Sequence, residues 1–158
     1  MTPAQRAGLV AGALLCTGAA SACELLLVEH RSGQLLARAP LDRAAPTAQV
    51  AFTHSVLGTP VADQYVWRAA EGGWRAHLVE ERFEGQGYGL PASAGSGESL
   101  QRDGDGWRLV TDRVVDPLVV RPLPAQRMRV LIDGQPPLLL GSLSMAAIEL
   151  RAQACPGR

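Results

Sequence analysis

Residues 49–83 read QVAFTHSVLGTPVADQYVWRAAEGGWRAHLVEERF and carry a clear secondary-structure signal. Apolar residues recur at every second position in three short runs, which is the period of a β-strand. Gly58-Thr59-Pro60 separates the first run from the second, and Gly72-Gly73 is typical of a tight hairpin turn. The pattern therefore predicts three consecutive strands, at residues 49–55, 61–68 and 74–83.

The same short, turn-punctuated runs continue on both sides of this segment. They predict further strands at residues 24–30, 35–39, 99–102, 107–111, 114–120, 128–132, 138–140 and 145–151. Pro117 favours an edge strand or a bulge for its run, because proline cannot donate to a strand ladder. The run that begins with Met145-Ala146-Ala147 could instead form a helical turn, since these residues favour helix. Because the runs around Pro117 and Met145 are doubtful as strands, we expect about nine or ten short strands, which indicate one all-β domain, either a β-sandwich or a partly open barrel.

Composition limits the classes of function. The chain has 158 residues, of which 47% are hydrophobic and 19% charged, so it has room for one domain. Fifteen basic residues balance fifteen acidic ones, which gives no electrostatic reason to expect a nucleic-acid partner. All the basic residues are Arg, and the absence of Lys excludes Schiff-base chemistry and a P-loop.

The N-terminus has the pattern of an export signal. Arg6 precedes an apolar run of roughly 14 residues, shorter than the ~20 that a membrane-spanning helix needs. The run ends at Ala20-Ser21-Ala22, small residues that suit cleavage before Cys23. We expect a signal helix, serving as signal peptide or membrane anchor, at residues 1–22, and an exported all-β domain at residues 23–158. The expected location is the periplasm, with any membrane contact made through the N-terminal segment or a lipid.

Two cysteines remain after the signal is removed, Cys23 and Cys155. In an oxidising compartment such a pair indicates a disulfide, here one that closes a loop of over a hundred residues. The alternative is a lipoprotein, because Ala20 to Cys23 also resemble a bacterial lipobox, although Ala20 stands where Leu is usual. Both interpretations remain open at this point.

The densest polar group is Thr53-His54-Ser55 followed by Asp63. If the flanking runs pair as a hairpin, His54 and Asp63 lie close together, because opposite side chains in paired strands are about 5 Å apart. A Ser-His-Asp triad is not expected, since adjacent residues of a strand point to opposite faces and Ser55 could not reach His54. The spacing of His54, Asp63 and His77 matches no metal-ligand motif. We therefore predict no catalytic residue, metal or cofactor.

Two other segments, one polar and one rich in glycine, are also candidate functional segments. Glu80-Glu81-Arg82 with Glu84 is interpreted as a solvated strand end. Residues 85–97 contain five glycines and Pro91, which predicts a long irregular loop. Loops of this length are often functional, and glycine permits positive φ or the close approach of another group.

Three segments together resemble a known family. Phe52-Thr53-His54-Ser55-Val56, then Thr59-Pro60-Val61 with Asp63, and later Gly87-Tyr88-Gly89-Leu90-Pro91 are similar to the hallmark segments of domain-of-unknown-function family 1850. Asp63 stands where the family usually has Glu, and Tyr88 where it usually has Ala. The family consists of exported bacterial proteins, frequently encoded beside the fused permease of TAXI-type tripartite ATP-independent periplasmic (TRAP) transporters.

The resemblance implies an exported, non-catalytic accessory protein that contacts a TRAP permease or its solute-binding protein. The alternative is a periplasmic module that binds a small ligand or an ion and is centred on His54 and Asp63. The candidate contact residues for either role are His54, Ser55, Pro60, Asp63, Gly87, Gly89, Leu90 and Pro91.

Overall fold

The strands of residues 22–154, the part of the chain that this computed structural model describes, form two antiparallel sheets. The strands are β1 (Ala22–Glu29), β2 (Leu35–Pro40), β3 (Thr47–Thr53), β4 (Pro60–Ala70), β5 (Gly73–Phe83), β6 (Ser99–Asp103), β7 (Gly106–Val115), β8 (Val119–Val120), β9 (Arg129–Leu131), β10 (Leu138–Leu139) and β11 (Ile148–Ala154). The small sheet has the order β2-β1-β11-β8, and the large sheet has the order β10-β9-β3-β4-β5-β7-β6. The sheets stay separate rather than closing into a barrel, so the predicted all-β sandwich is confirmed.

The ends of the chain leave several predictions open. Residues 1–21 and 155–158 lie outside the described residues, and with them most of the predicted signal segment and Cys155. Cys23 is disulfide-bonded. In the register of β1 and β11, Ala22 lies opposite Ala154, the last described residue before Cys155. The Cys23–Cys155 pairing itself stays a prediction. No helix within residues 22–154 is long and apolar enough to span a membrane.

The main core lies between the two sheets. The small sheet contributes Leu25 and Leu27 from β1 and Ile148 from β11, all fully buried. The large sheet contributes Val50 and Val130, which are also almost fully buried. Each such side chain stabilises the fold by about 2 kcal/mol through removal of apolar surface from water. We call this region the closed end of the sandwich.

A second, smaller cluster packs on the large sheet alone. Its buried members are Val61, Phe83 and Leu109, from β4, β5 and β7. No residue of the small sheet belongs to it, and Leu90 from the glycine-rich loop supplies part of its cover. We call this region the open end, because a loop rather than a second sheet packs against it.

The long hairpin of β4 and β5 connects these two ends. Its register contains a bulge: Gln64 pairs with Glu80, but the next residue of β4, Tyr65, pairs with Leu78. Val79 is therefore the extra residue on β5. Because a bulge inserts one residue into the two-residue period, it changes which residues of β5 point inward on either side of it.

The chain changes sheets after β7, which corrects the prediction of one strand over residues 114–120. β7 continues to Val115 in the large sheet, whereas β8 pairs with β11 in the small sheet. The intervening Asp116–Pro117 peptide bond is cis. Pro117 thus marks a crossing between sheets rather than a bulge within one strand, consistent with its missing ladder donor.

The C-terminal elements also differ from the prediction. The strand predicted at residues 138–140 ends at Leu139, because Leu140 begins a one-turn helix, α1 (Leu140–Leu143). The last strand begins at Ile148 rather than Met145. A short helix is thus present, but before the segment where a helical turn was considered.

Candidate functional site

The site begins at the turn between β3 and β4. The strand predicted at residues 49–55 ends at Thr53, so His54 and Ser55 belong to the turn. The backbone N–H of His54 donates to the Thr59 carbonyl at 2.8 Å, and the Gly58 N–H donates to the His54 carbonyl at 2.9 Å. His54 therefore closes the turn through its backbone and leaves its side chain available for other contacts.

The His54 ring, only 9% exposed, joins two segments of the chain. Its Nδ1 lies 3.2 Å from the Val56 amide and 3.1 Å from the Leu57 amide. Its Nε2 lies 3.2 Å from the Tyr88 carbonyl oxygen. Since an amide only donates and a carbonyl only accepts, Nδ1 accepts and Nε2 donates. Both ring nitrogens are thus engaged by backbone groups.

The glycine-rich loop makes a tight turn where His54 holds it. The Leu90 N–H donates to the Gly87 carbonyl at 3.1 Å. Tyr88 and Gly89 have φ values of 55° and 98°, so the turn needs two consecutive residues in a conformation that glycine adopts at little cost. The turn directs Leu90 onto the open-end cluster and leaves Tyr88 73% exposed.

A pocket of about 230 Å³ lies between the His54 turn, the open-end cluster and the loop. Six of the eight candidate contact residues line it: His54, Ser55, Asp63, Gly89, Leu90 and Pro91. The two segments singled out from the sequence therefore meet on one concave surface. Gly87 contributes to the turn but not to the wall, and Pro60 lines a neighbouring depression with Ala62 and Arg82.

Glu81 is a pocket residue that the sequence analysis missed. It lies directly opposite Asp63 in the pairing of β4 with β5, and both side chains line the pocket. Its Oε2 is buried and has no hydrogen-bond partner among residues 22–154. The interpretation of Glu80-Glu81-Arg82 as a solvated strand end is wrong for Glu81. It holds for the exposed Arg82 and Glu84, whereas Glu80 is half-buried and bonds Arg82 and Arg108, each at 2.6 Å.

The bulge at Val79 explains this error. Leu78 and Ala76 point into the core, so strict alternation would turn Glu80 inward and Glu81 outward. The extra residue reverses the pattern, and Glu81 and Phe83 face inward instead. The only sequence signal was Phe83, a large apolar residue an odd number of positions from Leu78.

Burial changes the acidity of this carboxyl pair. Burial, and secondarily the charge of Glu81, raises the pKa of Asp63 to about 7. Burial also raises the pKa of Glu81, which Glu98 raises further and Arg113 opposes. Arg113 bonds Glu98 at 2.5 Å, so its charge is already compensated. The pocket therefore presents two carboxyl groups that resist being charged together.

The other polar candidates lie apart from this pair. His77 bonds Asp112 at 2.8 Å, and its Nδ1 lies 3.0 Å from Arg68, so it belongs to a separate charged group. Within the part of the chain that the structure describes, no three His, Cys, Asp or Glu residues are grouped to hold a metal ion. Ser55 is exposed at the pocket rim, and the two His54 nitrogens face backbone rather than its hydroxyl.

Comparison with known proteins gives one match. The family model described as a domain of unknown function (DUF1850) matches residues 48–138, which include both motif segments and the strands from β3, without its first residue, to β9. No curated protein and no solved structure matches the chain.

Proposed function

The chain belongs to the DUF1850 family, and from that premise we propose that it is an exported, non-catalytic accessory protein of a TAXI-type TRAP transporter. In this role it acts in the periplasm, anchored to the inner membrane by its N-terminal segment, because a Cys23 sulfur in a disulfide cannot also carry a lipid. Its partner is the permease or the solute-binding protein. The resemblance of its motif segments and the export pattern at its N-terminus support this proposal.

The observation that carries the proposal is the convergence of the two motif segments through His54. A histidine with both ring nitrogens bonded to backbone is suited to holding a surface in shape rather than to transferring protons. The same bonds hold the backbones of two exposed apolar residues to one ring, Val56 at 62% and Tyr88 at 73% exposure. Exposed apolar residues grouped in this way are typical of protein contact sites.

The accessory role is tested by co-purification of the full chain with the permease and the solute-binding protein under membrane-preserving conditions. We expect association, and we expect that the double variant Val56→Ser and Tyr88→Ser weakens it at least tenfold. Val114→Ser, which removes another exposed apolar residue, is the matched control and should have no effect. Absence of association, together with transport that is unaffected by deletion of the chain, would reject the proposal.

A second candidate function is the ligand- or ion-binding module centred on His54 and Asp63. The enclosed position of Asp63 beside Glu81 in a defined pocket supports it. Because the His54 nitrogens are engaged by backbone, the groups that a ligand would contact are the two carboxyls. Asp63→Asn should therefore abolish binding without loss of fold, whereas His54→Ala should lower the melting temperature and weaken binding only through the pocket's shape.

A further inference from the structure

We infer that the pocket binds a small organic cation with N–H donors, a primary ammonium or a guanidinium, held by Asp63 and Glu81. This inference rests on the ligand-binding candidate and adds the chemical class of the ligand. Four features of the open end support it.

The first feature is the placement of the two carboxyls. Directly opposite residues in antiparallel strands have Cβ atoms about 5 Å apart, and like charges at that distance destabilise the pair. A cation placed between Asp63 and Glu81 would interact favourably with both. The pair is therefore arranged to hold a positive charge that the protein itself does not supply.

The second feature is the vacant hydrogen-bonding capacity of Glu81. Its Oε2 is shielded from solvent and no group of residues 22–154 donates to it. A buried acceptor without a donor is unfavourable, and more so when the group is charged. An ammonium or guanidinium group carries several N–H donors and would satisfy this oxygen, whereas a hydroxyl or a carbonyl ligand would supply less or nothing.

The third feature is that the charged and titratable groups packed around the pair compensate its charge only in part. On β7, Arg113 attracts Glu81, but its guanidinium is already bonded to Glu98, the residue just before β6. In the turn after β3, both His54 nitrogens are occupied by backbone. On β4, the next inward residue is Tyr65, whose pKa the burial and the two carboxyls raise. None of these groups brings a free positive charge to the pair.

The fourth feature is the rest of the pocket wall. Phe52, Val61, Phe83 and Leu90 provide apolar and aromatic surface. Aromatic faces attract organic cations, and apolar walls favour an organic ion over a hydrated metal ion. A volume of about 230 Å³ is below the range of ordinary drug-sized sites and limits the ligand to a small molecule.

The test uses the full chain and three probes: butylammonium, 1-butanol and Ca²⁺. Binding is followed by chemical-shift changes of the backbone amides of Asp63, Glu81 and Gly89. We expect butylammonium to shift these amides and 1-butanol and Ca²⁺ to leave them unchanged. Because the cation needs the ionised form of Asp63, affinity should rise about five- to tenfold between pH 6 and pH 8, following its raised pKa.

Two variants make the test specific. Asp63→Asn and Glu81→Gln should each weaken butylammonium binding at least tenfold, and both should fold, because they remove buried charge. Glu80→Gln, the neighbouring carboxyl on the opposite face of β5, should leave binding unchanged. If Glu80→Gln weakens binding as much as Glu81→Gln does, the cation binds elsewhere and the inference is rejected.

The outcomes separate this inference from the functions on which it depends. Shifts with 1-butanol or Ca²⁺ but not with butylammonium would reject the organic cation and retain a ligand-binding pocket. An absence of shifts with all three probes would reject the inference as well, and the accessory role would then be decided by co-purification alone.

Discussion

The two ends of the sandwich use the same strands for opposite purposes. At the closed end, β4 and β5 place Tyr65, Trp67 and Leu78 against the small sheet, in a continuous apolar core. At the open end, the same strands place Asp63 and Glu81 against a glycine-rich loop. The closed end gains stability from every inward position, whereas the open end retains two buried carboxyls that oppose it. Such a difference within one hairpin indicates that the open end is shaped by something other than stability.

Removing a core side chain at the closed end should have the largest effect. Leu27→Ala should lower the free energy of unfolding by about 4 kcal/mol, because Leu27 is fully buried between the sheets. Urea unfolding monitored by circular dichroism measures this. Leu35→Ala on the exposed edge of β2 is the control and should cost much less. If Leu27→Ala also changes the titration of Asp63, the two ends are energetically coupled, which would contradict their separate roles.

Removing the His54 ring should have the next largest effect. His54→Ala deletes three bonds to backbone groups and should cost about 3 kcal/mol, at about 1 kcal/mol for each bond. Hydrogen exchange should show faster exchange at Val56 and Leu57, whose amides lose their acceptor, and at Leu90 in the released loop. The control is His77→Ala, which should leave the protection of these amides unchanged. Unchanged protection in His54→Ala would show that the ring does not hold the open end together.

Neutralising the buried acid should stabilise the protein. The folded pKa of Asp63 is about 7, above its unfolded value, so the folded state binds more protons between these pKa values and stability falls as pH rises through that range. Asp63→Asn should therefore match the wild type near pH 4 and exceed its stability by about 2–4 kcal/mol at pH 8, since each unit of raised pKa corresponds to about 1.4 kcal/mol. Thermal unfolding across pH measures the difference.

The control for Asp63→Asn is Asp112→Asn, whose effect on stability should have the opposite sign. Hydrogen bonds from Arg68 and then His77 lower the pKa of Asp112, so its ionised form stabilises the fold. Asp112→Asn should give a small loss of stability at pH 8 and none at low pH. A gain in Asp112→Asn, or a loss in Asp63→Asn, would contradict the distinction between the open end and the surface.

Changing the loop's backbone should have the smallest effect. Gly89→Ala should cost about 1 kcal/mol, because φ of 98° is unfavourable for alanine even though no atom lies within 4 Å of the added Cβ. Gly141→Ala, in α1 and with equally open surroundings, is the matched control and should be neutral or stabilising. Equal losses in the two variants would show that backbone conformation does not distinguish the loop.

Much of the architecture could be predicted because it depends on local signals. Alternating apolar residues and glycine turns located the β3–β4–β5 hairpins, and the motif segments predicted that His54 and Asp63 belong to one region. Two features depend on non-local pairing and could not be predicted. One is the change of sheet after Val115, and the other is the inward position of Glu81, which follows from a bulge that alternation alone cannot locate.

The bulge at Val79 shifts the inward and outward alternation of β5 by one residue. The residues after the bulge therefore face the opposite side of the sheet from the one that strict alternation would give them. Glu81 and Phe83 point inward, and Glu80 and Arg82 point outward. A strand of the same length that paired Val79 in regular alternation would instead turn Glu80 and Arg82 inward, whereas deletion of Val79 would keep Glu81 opposite Asp63. The chemistry of the open end therefore depends on whether β5 leaves Val79 unpaired, while the closed end keeps its core in either case.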